Sequence, residues 1–235
     1  ILSDPSKAGG FAEVKAGERV SDVIEAAAKA AKLDVSEFKT IIDGGGDGIL
    51  PSEAGGKFEG WLEPGSYDVQ GKSAKEILKK MVDARIAKLD SLGVPTGDER
   101  ERILNIASIA ESEVGNEQYY GQVARVILNR IADGMPLGMD TTVAYGLGIS
   151  ASQLTDAQLN DSGNEYNTRI HKGLPPTPIS NPGDNAILAS MNPPEGKWMY
   201  FVTTNLQTGE TKFVETEAEF WKIRDEYKNN NKDAN

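Results

Sequence analysis

Apolar and polar residues alternate along Phe11-Ala12-Glu13-Val14, the period of two that predicts a short half-buried strand. Gly17 ends it, and the polar, glycine-rich residues 1–10 ahead of it read as a frayed start. The alanine-rich stretch that follows predicts a helix to about Ala31, with Ser21 or Asp22 as its cap. Val35, Phe38, Ile41 and Ile42 predict a second short helix, stopped by Gly44-Gly45-Gly46. Phe58 to Gly65 is turn-rich and aromatic, and Ser66 to Val69 reads as a strand. Ser73 with Glu76 forms a capping-box pattern ahead of Ile77, Leu78, Met81, Val82 and Ile86, which predicts a helix to about Leu92.

Gly93-Val94-Pro95-Thr96-Gly97 is a break, and the domain boundary is placed there or inside the preceding helix: residues 1–93, then 94–235. Asp98 opens a helix with Ile103, Ile106, Ala107, Ala110 and Val114 on one side, closed by Gly115. Val123, Val126, Ile127 and Ile131 predict the next helix. Residues 134–194 read as loop-rich, the fixed irregular backbone from which a polar cleft is built. A strand over 198–204, a turn near Gly209, a strand over 211–214 and a helix from Glu215 complete the chain. The fold class expected is α+β: a small α/β module, then a mixed helical and β domain with a loop-built cleft.

Hydrophobic residues at 38% and charged residues at 26% place the chain among soluble globular proteins. Acidic side chains number 36 against 25 basic, a net charge of -11 that argues against a phosphate backbone as partner. The absence of cysteine excludes disulfides, thiolate metal sites and cysteine nucleophiles. The single histidine, His171, excludes a multi-histidine metal site. It sits in a loop without a Gly-x-Ser-x-Gly elbow to serve, so a serine hydrolase is poorly supported. Gly44 to Gly48 lacks the Lys-Ser/Thr of a phosphate loop and reads as a connection. The chain begins at Ile1, not Met, and reads as a fragment whose anchor, if any, lies upstream. No stretch approaches the roughly 18 apolar residues of a membrane span.

Glu111 borders the apolar side of its helix, where partial desolvation raises a carboxyl pKa, as a general acid in glycosidic cleavage requires. A surface glutamate near a helix C-terminus is the competing reading. Asp140 is either a sugar-binding group or the aspartate of an Asx turn. Arg130 either compensates its helix C-terminus or holds a ligand amide or carboxylate. From residues alone, the reading stops at a soluble α+β protein with a loop-built polar cleft.

Ala107-Ser108-Ile109-Ala110-Glu111-Ser112-Glu113-Val114 resembles the signature of the endolytic murein transglycosylase family. Further matches follow in order: Val123 to Arg130, ending in Asn129-Arg130; Gly134-Met135-Pro136-Leu137, then Asp140, Thr142-Val143 and Tyr145-Gly146; Tyr166-Asn167-Thr168; the proline-rich run from Gly173 to Ile179; and Asn181-Pro182-Gly183. Upstream, Phe58-Glu59-Gly60-Trp61-Leu62-Glu63-Pro64 with Tyr67 resembles part of a LysM-like module. The resemblance covers about residues 11–230. Gly138, Thr141, Val114 and Glu63 stand where the family commonly has glutamine, proline, threonine and phenylalanine.

The resemblance implies cleavage within peptidoglycan glycan strands, between N-acetylmuramic acid and N-acetylglucosamine, leaving 1,6-anhydro ends. It implies Glu111 as catalytic acid and then base, and a substrate cleft drawn from Asp140, Tyr166, Asn167, Glu113, Asn129, Arg130, Tyr145 and Thr142, with Thr168 and Pro176 beside it. No cofactor and no metal is expected. It implies an extracytoplasmic part, single-pass anchored to the cell membrane by a segment absent from this chain, and peptidoglycan synthases as partners. The alternatives are a non-catalytic wall-binding or scaffold protein, favoured only without an intact Glu111, and a pyridoxal-phosphate lyase, for which no lysine stands in a suitable context.

Overall fold

The structure, a computed structural model, describes residues 10–46 and 48–230. The frayed start expected over residues 1–10 lies outside them except for Gly10, as does Asp47 of the glycine run. The protein is α+β, and it falls into two compact units. The first runs to Ser108 and takes in Thr177–Gly183; the second comprises Ile109–Pro176 and Asp184–Asn235. The break at Gly93 to Gly97 is a turn within the first unit. Among the described residues no helix is long and apolar enough to cross a membrane.

In the first unit, β1 (Phe11–Val14) pairs antiparallel with β2 (Gly65–Asp68), in the register Phe11 to Asp68 and Val14 to Gly65. Helices α1 (Val20–Ala31) and α2 (Val35–Asp43) lie between them in sequence, and α3 (Ala74–Ser91) follows. Val23, Ile24, Phe38, Leu62, Ile77, Leu78, Met81 and Val82 share one core. Ser73 and Glu76 form the expected capping box of α3. At α1 the expectation needs correction. The helix starts at Val20, and Asp22 accepts back from the Arg19 N–H, as an acid at the third helical position does. The group that meets the Val20 N–H is the buried Glu59 carboxylate, at 3.0 Å, a partner 39 residues away that local spacing cannot reveal.

Glu59 belongs to the aromatic run singled out in the sequence, and its surroundings explain that run. A Cβ at Gly60, whose φ is +87°, would stand 2.7 Å from Pro178 Cγ. The Leu62 N–H donates to the Asn181 side chain at 2.9 Å, and the Gly17 N–H donates to the Asn181 carbonyl at 2.8 Å. Arg85, fully buried, faces Glu63 at 3.0 Å and donates to the carbonyls of Leu62 and Pro182. The distant Asn181-Pro182-Gly183 motif is thus a structural strut of this unit.

Helix α4 (Asp98–Glu113) was expected to bury one side, but every residue from Ile103 to Ala110 is buried. A helix enclosed all round needs no amphipathic stripe, which is why Asn105 and Ser108 sit in its interior run. Ser108 Oγ donates to the Asn105 carbonyl and accepts from the Ile179 N–H.

In the second unit, α5 (Tyr120–Ala132) packs against α8 (Asp184–Met191). Residues 134–194, expected as loop, also contain α6 (Asp140–Gly146) and α7 (Asp156–Leu159). Helices this short have little intrinsic stability and are held by tertiary contacts, so periodicity carries little trace of them. Strands β3 (Tyr200–Asn205) and β4 (Glu210–Val214) form an antiparallel hairpin with a bulge between Thr203 and Asn205. Phe213 is its hub, with ring centroids 5.7 to 6.0 Å from those of Phe201, Tyr119 and Trp198. Helix α9 (Glu217–Asn230) packs on β3.

Near the start of α4, the fully buried Trp61 donates its indole N–H to Glu101 at 2.8 Å. Burial pushes the Glu101 carboxyl up to about 7, against the pull of that hydrogen bond. An acid whose folded pKa is raised holds its proton longer in the native state, so stability falls as pH rises from the ordinary carboxyl value to about 7. Glu101→Gln should remove this slope and raise stability at pH 8 by on the order of 2 kcal/mol, read as the thermal midpoint from pH 5 to 8.

Candidate functional site

Glu111 is half-buried, at the point where α4 emerges from enclosure: Ala110 is fully buried and Ser112 is exposed. Tyr120, buried at the start of α5, senses it. Its hydroxyl is pushed up to about 12, first by burial and then by the charges of Glu111 and Glu117. Four residues beyond Glu111 begins a depression of about 450 Å³, lined by Gly115, Asn116, Glu117 and the hairpin turn 206–209. Its walls are mostly amide, hydroxyl and carboxylate groups, suited to an uncharged polar ligand.

Glu113, two residues on, projects from a different side of the helix. Its carboxylate accepts the Thr141 hydroxyl at 2.5 Å. Burial holds the Glu113 carboxyl above the usual range; the Asp140 charge pushes the same way, and bonds from Thr141 and the charge of Arg130 oppose it.

Helix α6 carries Asp140, Thr142 and Tyr145. Asp140 pairs with Arg169 at 2.8 Å on the surface. Thr142 is buried, its hydroxyl 2.7 Å from the Met139 carbonyl and 2.8 Å from the Thr168 hydroxyl. The Met139 N–H donates to Thr168 Oγ1 at 3.1 Å. At the other end, Asn164 donates to the Val143 carbonyl and accepts from the Tyr166 N–H. A side chain at Gly146 would collide with Asn164. The rings of Tyr145 and Tyr166 meet with centroids 4.9 Å apart, both half-buried, a surface on which a sugar ring can stack.

The remaining expected residues hold backbone. Asn129 donates to the carbonyls of Gly196 and Trp198 at 3.0 and 2.9 Å. Arg130 donates to the carbonyls of Met199 and Leu137 and lies over the Tyr200 ring. Asn167, fully buried, donates to the carbonyls of Leu159 and Asp161. Pro176 is exposed. His171 lies on an exposed loop against the Ser162 carbonyl. Thr141, Asn164 and Arg169 were not singled out as site residues; Thr141 stood out only as a departure from the resembled pattern. Their long-range partners, Glu113 for Thr141, Val143 for Asn164 and Asp140 for Arg169, lie 28, 21 and 29 residues away, beyond the reach of local spacing.

Asn129→Ala would strand two partly buried carbonyls and should cost about 1–2 kcal/mol, read by denaturant unfolding.

A family model described as the YceG-like family matches residues 2–226. The endolytic murein transglycosylase of Bacillus subtilis (strain 168) is 28% identical over 174 residues, 72% of this chain and 48% of that protein. The endolytic murein transglycosylase of Streptococcus pneumoniae (strain R6) is 26% identical over 182 residues, 72% of this chain and 32% of that protein. The chain therefore spans half or less of the length of these relatives. The crystal structure of a yceG-like protein from Listeria monocytogenes superposes with a TM-score of 0.75 at 28% identity, covering 91% of this chain and 76% of that one.

Proposed function

The chain belongs to the YceG-like family, and from that premise we propose that it acts as an endolytic murein transglycosylase on peptidoglycan glycan strands, with Glu111 as its catalytic acid and base. The observation that carries this reading is the placement of Glu111: the first acidic side chain to emerge, half-buried, from an enclosed helix, four residues ahead of the first residue that lines a polar depression. An acid catalyst must bring a protonated carboxyl to the glycosidic oxygen.

The protonated Glu111 donates its proton to the glycosidic oxygen as the bond from the muramyl anomeric carbon to that oxygen breaks. The N-acetylglucosamine side leaves with a new hydroxyl. The Glu111 carboxylate then takes the proton from the muramyl C6 hydroxyl, whose oxygen bonds to the anomeric carbon and closes the 1,6-anhydro ring. The proton returns to Glu111, no water is consumed, and no second carboxylate is needed to activate one. Tyr145, Tyr166 and Asp140 are the candidate substrate contacts that combine exposure with sugar-binding chemistry. Asn129, Arg130, Asn167 and Thr142 support the cleft by holding its backbone.

On this reading residues after the Gly93 turn form the catalytic part and those before it a LysM-like module. Peptidoglycan places the work outside the cytoplasmic membrane. Tethering by a segment outside this chain and association with peptidoglycan synthases belong to the same proposal.

Glu111→Gln should lower release of soluble fragments from purified peptidoglycan by at least about a hundredfold, with a thermal midpoint within a few degrees of the parent. Parental turnover in that variant would remove Glu111 from the chemistry.

A further inference from the structure

Helix α6 begins without a cap of its own. Its cap position is Met139, whose side chain makes no bond to the helix, so its first N–H groups need an acceptor from elsewhere. Glu113 answers that need from the end of α4. Its carboxylate accepts from the Thr141 hydroxyl at 2.5 Å and from the Thr141 peptide N–H, at the second helical position. An acid at a helix start also meets the positive end of the helix dipole.

We propose that Glu113 is a positioning residue: through Thr141 it caps α6 and holds Asp140 and Tyr145 in place relative to the turn that carries Glu111. This rests on the proposed transglycosylase reading for its consequence, though not for the cap itself. The Glu-x-Glu pair then divides its labour, Glu111 serving the reaction and Glu113 the geometry of the residues around it. The charged groups facing Glu113 are Asp140 on α6, which disfavours its ionisation, and Arg130 on α5, which favours it. Because burial holds the carboxyl above its ordinary range in the closed state, an opening that exposes Glu113 lets it release its proton, so the first turn of α6 should open more often as pH rises through that range.

The test pairs two measurements on Glu113→Ala, Glu113→Gln, Thr141→Val and Thr141→Ser. The first is amide hydrogen exchange of α6 from pH 5 to 8, corrected for intrinsic exchange and made without substrate. Glu113→Ala, which removes both bonds, should exchange Ala144, Tyr145 and Gly146 about tenfold faster, the size expected for a lost cap, with α5 unchanged; Thr141→Val, which removes only the hydroxyl bond, should do so by a smaller factor. Thr141→Ser should restore protection. Glu113→Gln should abolish the pH dependence of α6 opening. The second is glycan cleavage, where Thr141→Val should lower kcat about tenfold with KM within twofold, and Thr141→Ser should recover it. Parental exchange in Glu113→Ala, or persistent pH-dependent opening in Glu113→Gln, would overturn the cap. Altered exchange with parental kcat would overturn its positioning role. A parent protein that cleaves no glycan would sink the enzymatic reading, while the exchange data still decide the cap.

Discussion

Helix α4 must stay helical through eight consecutive buried residues, Ile103 to Ala110, before it reaches solvent. A buried backbone has no water to bond, so the helix cannot fray or bend there without stranding N–H and C=O groups. Its enclosure fixes where an acidic side chain can first emerge half-dry, and that place is Glu111. One residue earlier a carboxylate would be fully desolvated; one later it would be exposed.

The same economy recurs at helix starts. Neither α1 nor α6 has a side chain at its cap position that bonds to its own first turn, and each is met by a glutamate from another part of its unit: Glu59 at Val20 and Glu113 at Thr141. Both carboxylates gain charge-assisted bonds where they would otherwise face a desolvation cost. Asparagines act similarly on irregular backbone. Asn181 ties the residue 17–18 turn to Leu62, Asn164 ties α6 to Tyr166, and Asn129 holds the approach to β3. Amides carry donor and acceptor together, so each can bridge two peptide groups at once.

The elements readable from sequence are those whose signals are local. The capping box at Ser73, the glycine stop after α2, the β3–β4 hairpin near Gly209 and the break at Gly93 are all where spacing placed them. What spacing could not give depends on distant partners. The one-sided helix expected at Ile103 is enclosed all round, because burial on the second side is decided by packing. Helices α6, α7 and α8 hide in a stretch that reads as loop, since each is too short to show a period. At the candidate site, the residue types were visible but their commitments were not. Arg130 could be read as closing its helix or as holding a ligand, and Asn167 enters the cleft only by resemblance; the donors of both face backbone carbonyls.

The central claim is that one half-buried carboxyl moves a proton out and back while a sugar hydroxyl, rather than water, attacks. Digestion of purified peptidoglycan in oxygen-18 water, followed by mass spectrometry of the fragments, tests this most directly. The account predicts 1,6-anhydro termini that carry no heavy oxygen. Reducing termini with one oxygen-18 at the anomeric carbon would mean that water is the nucleophile, and would contradict it.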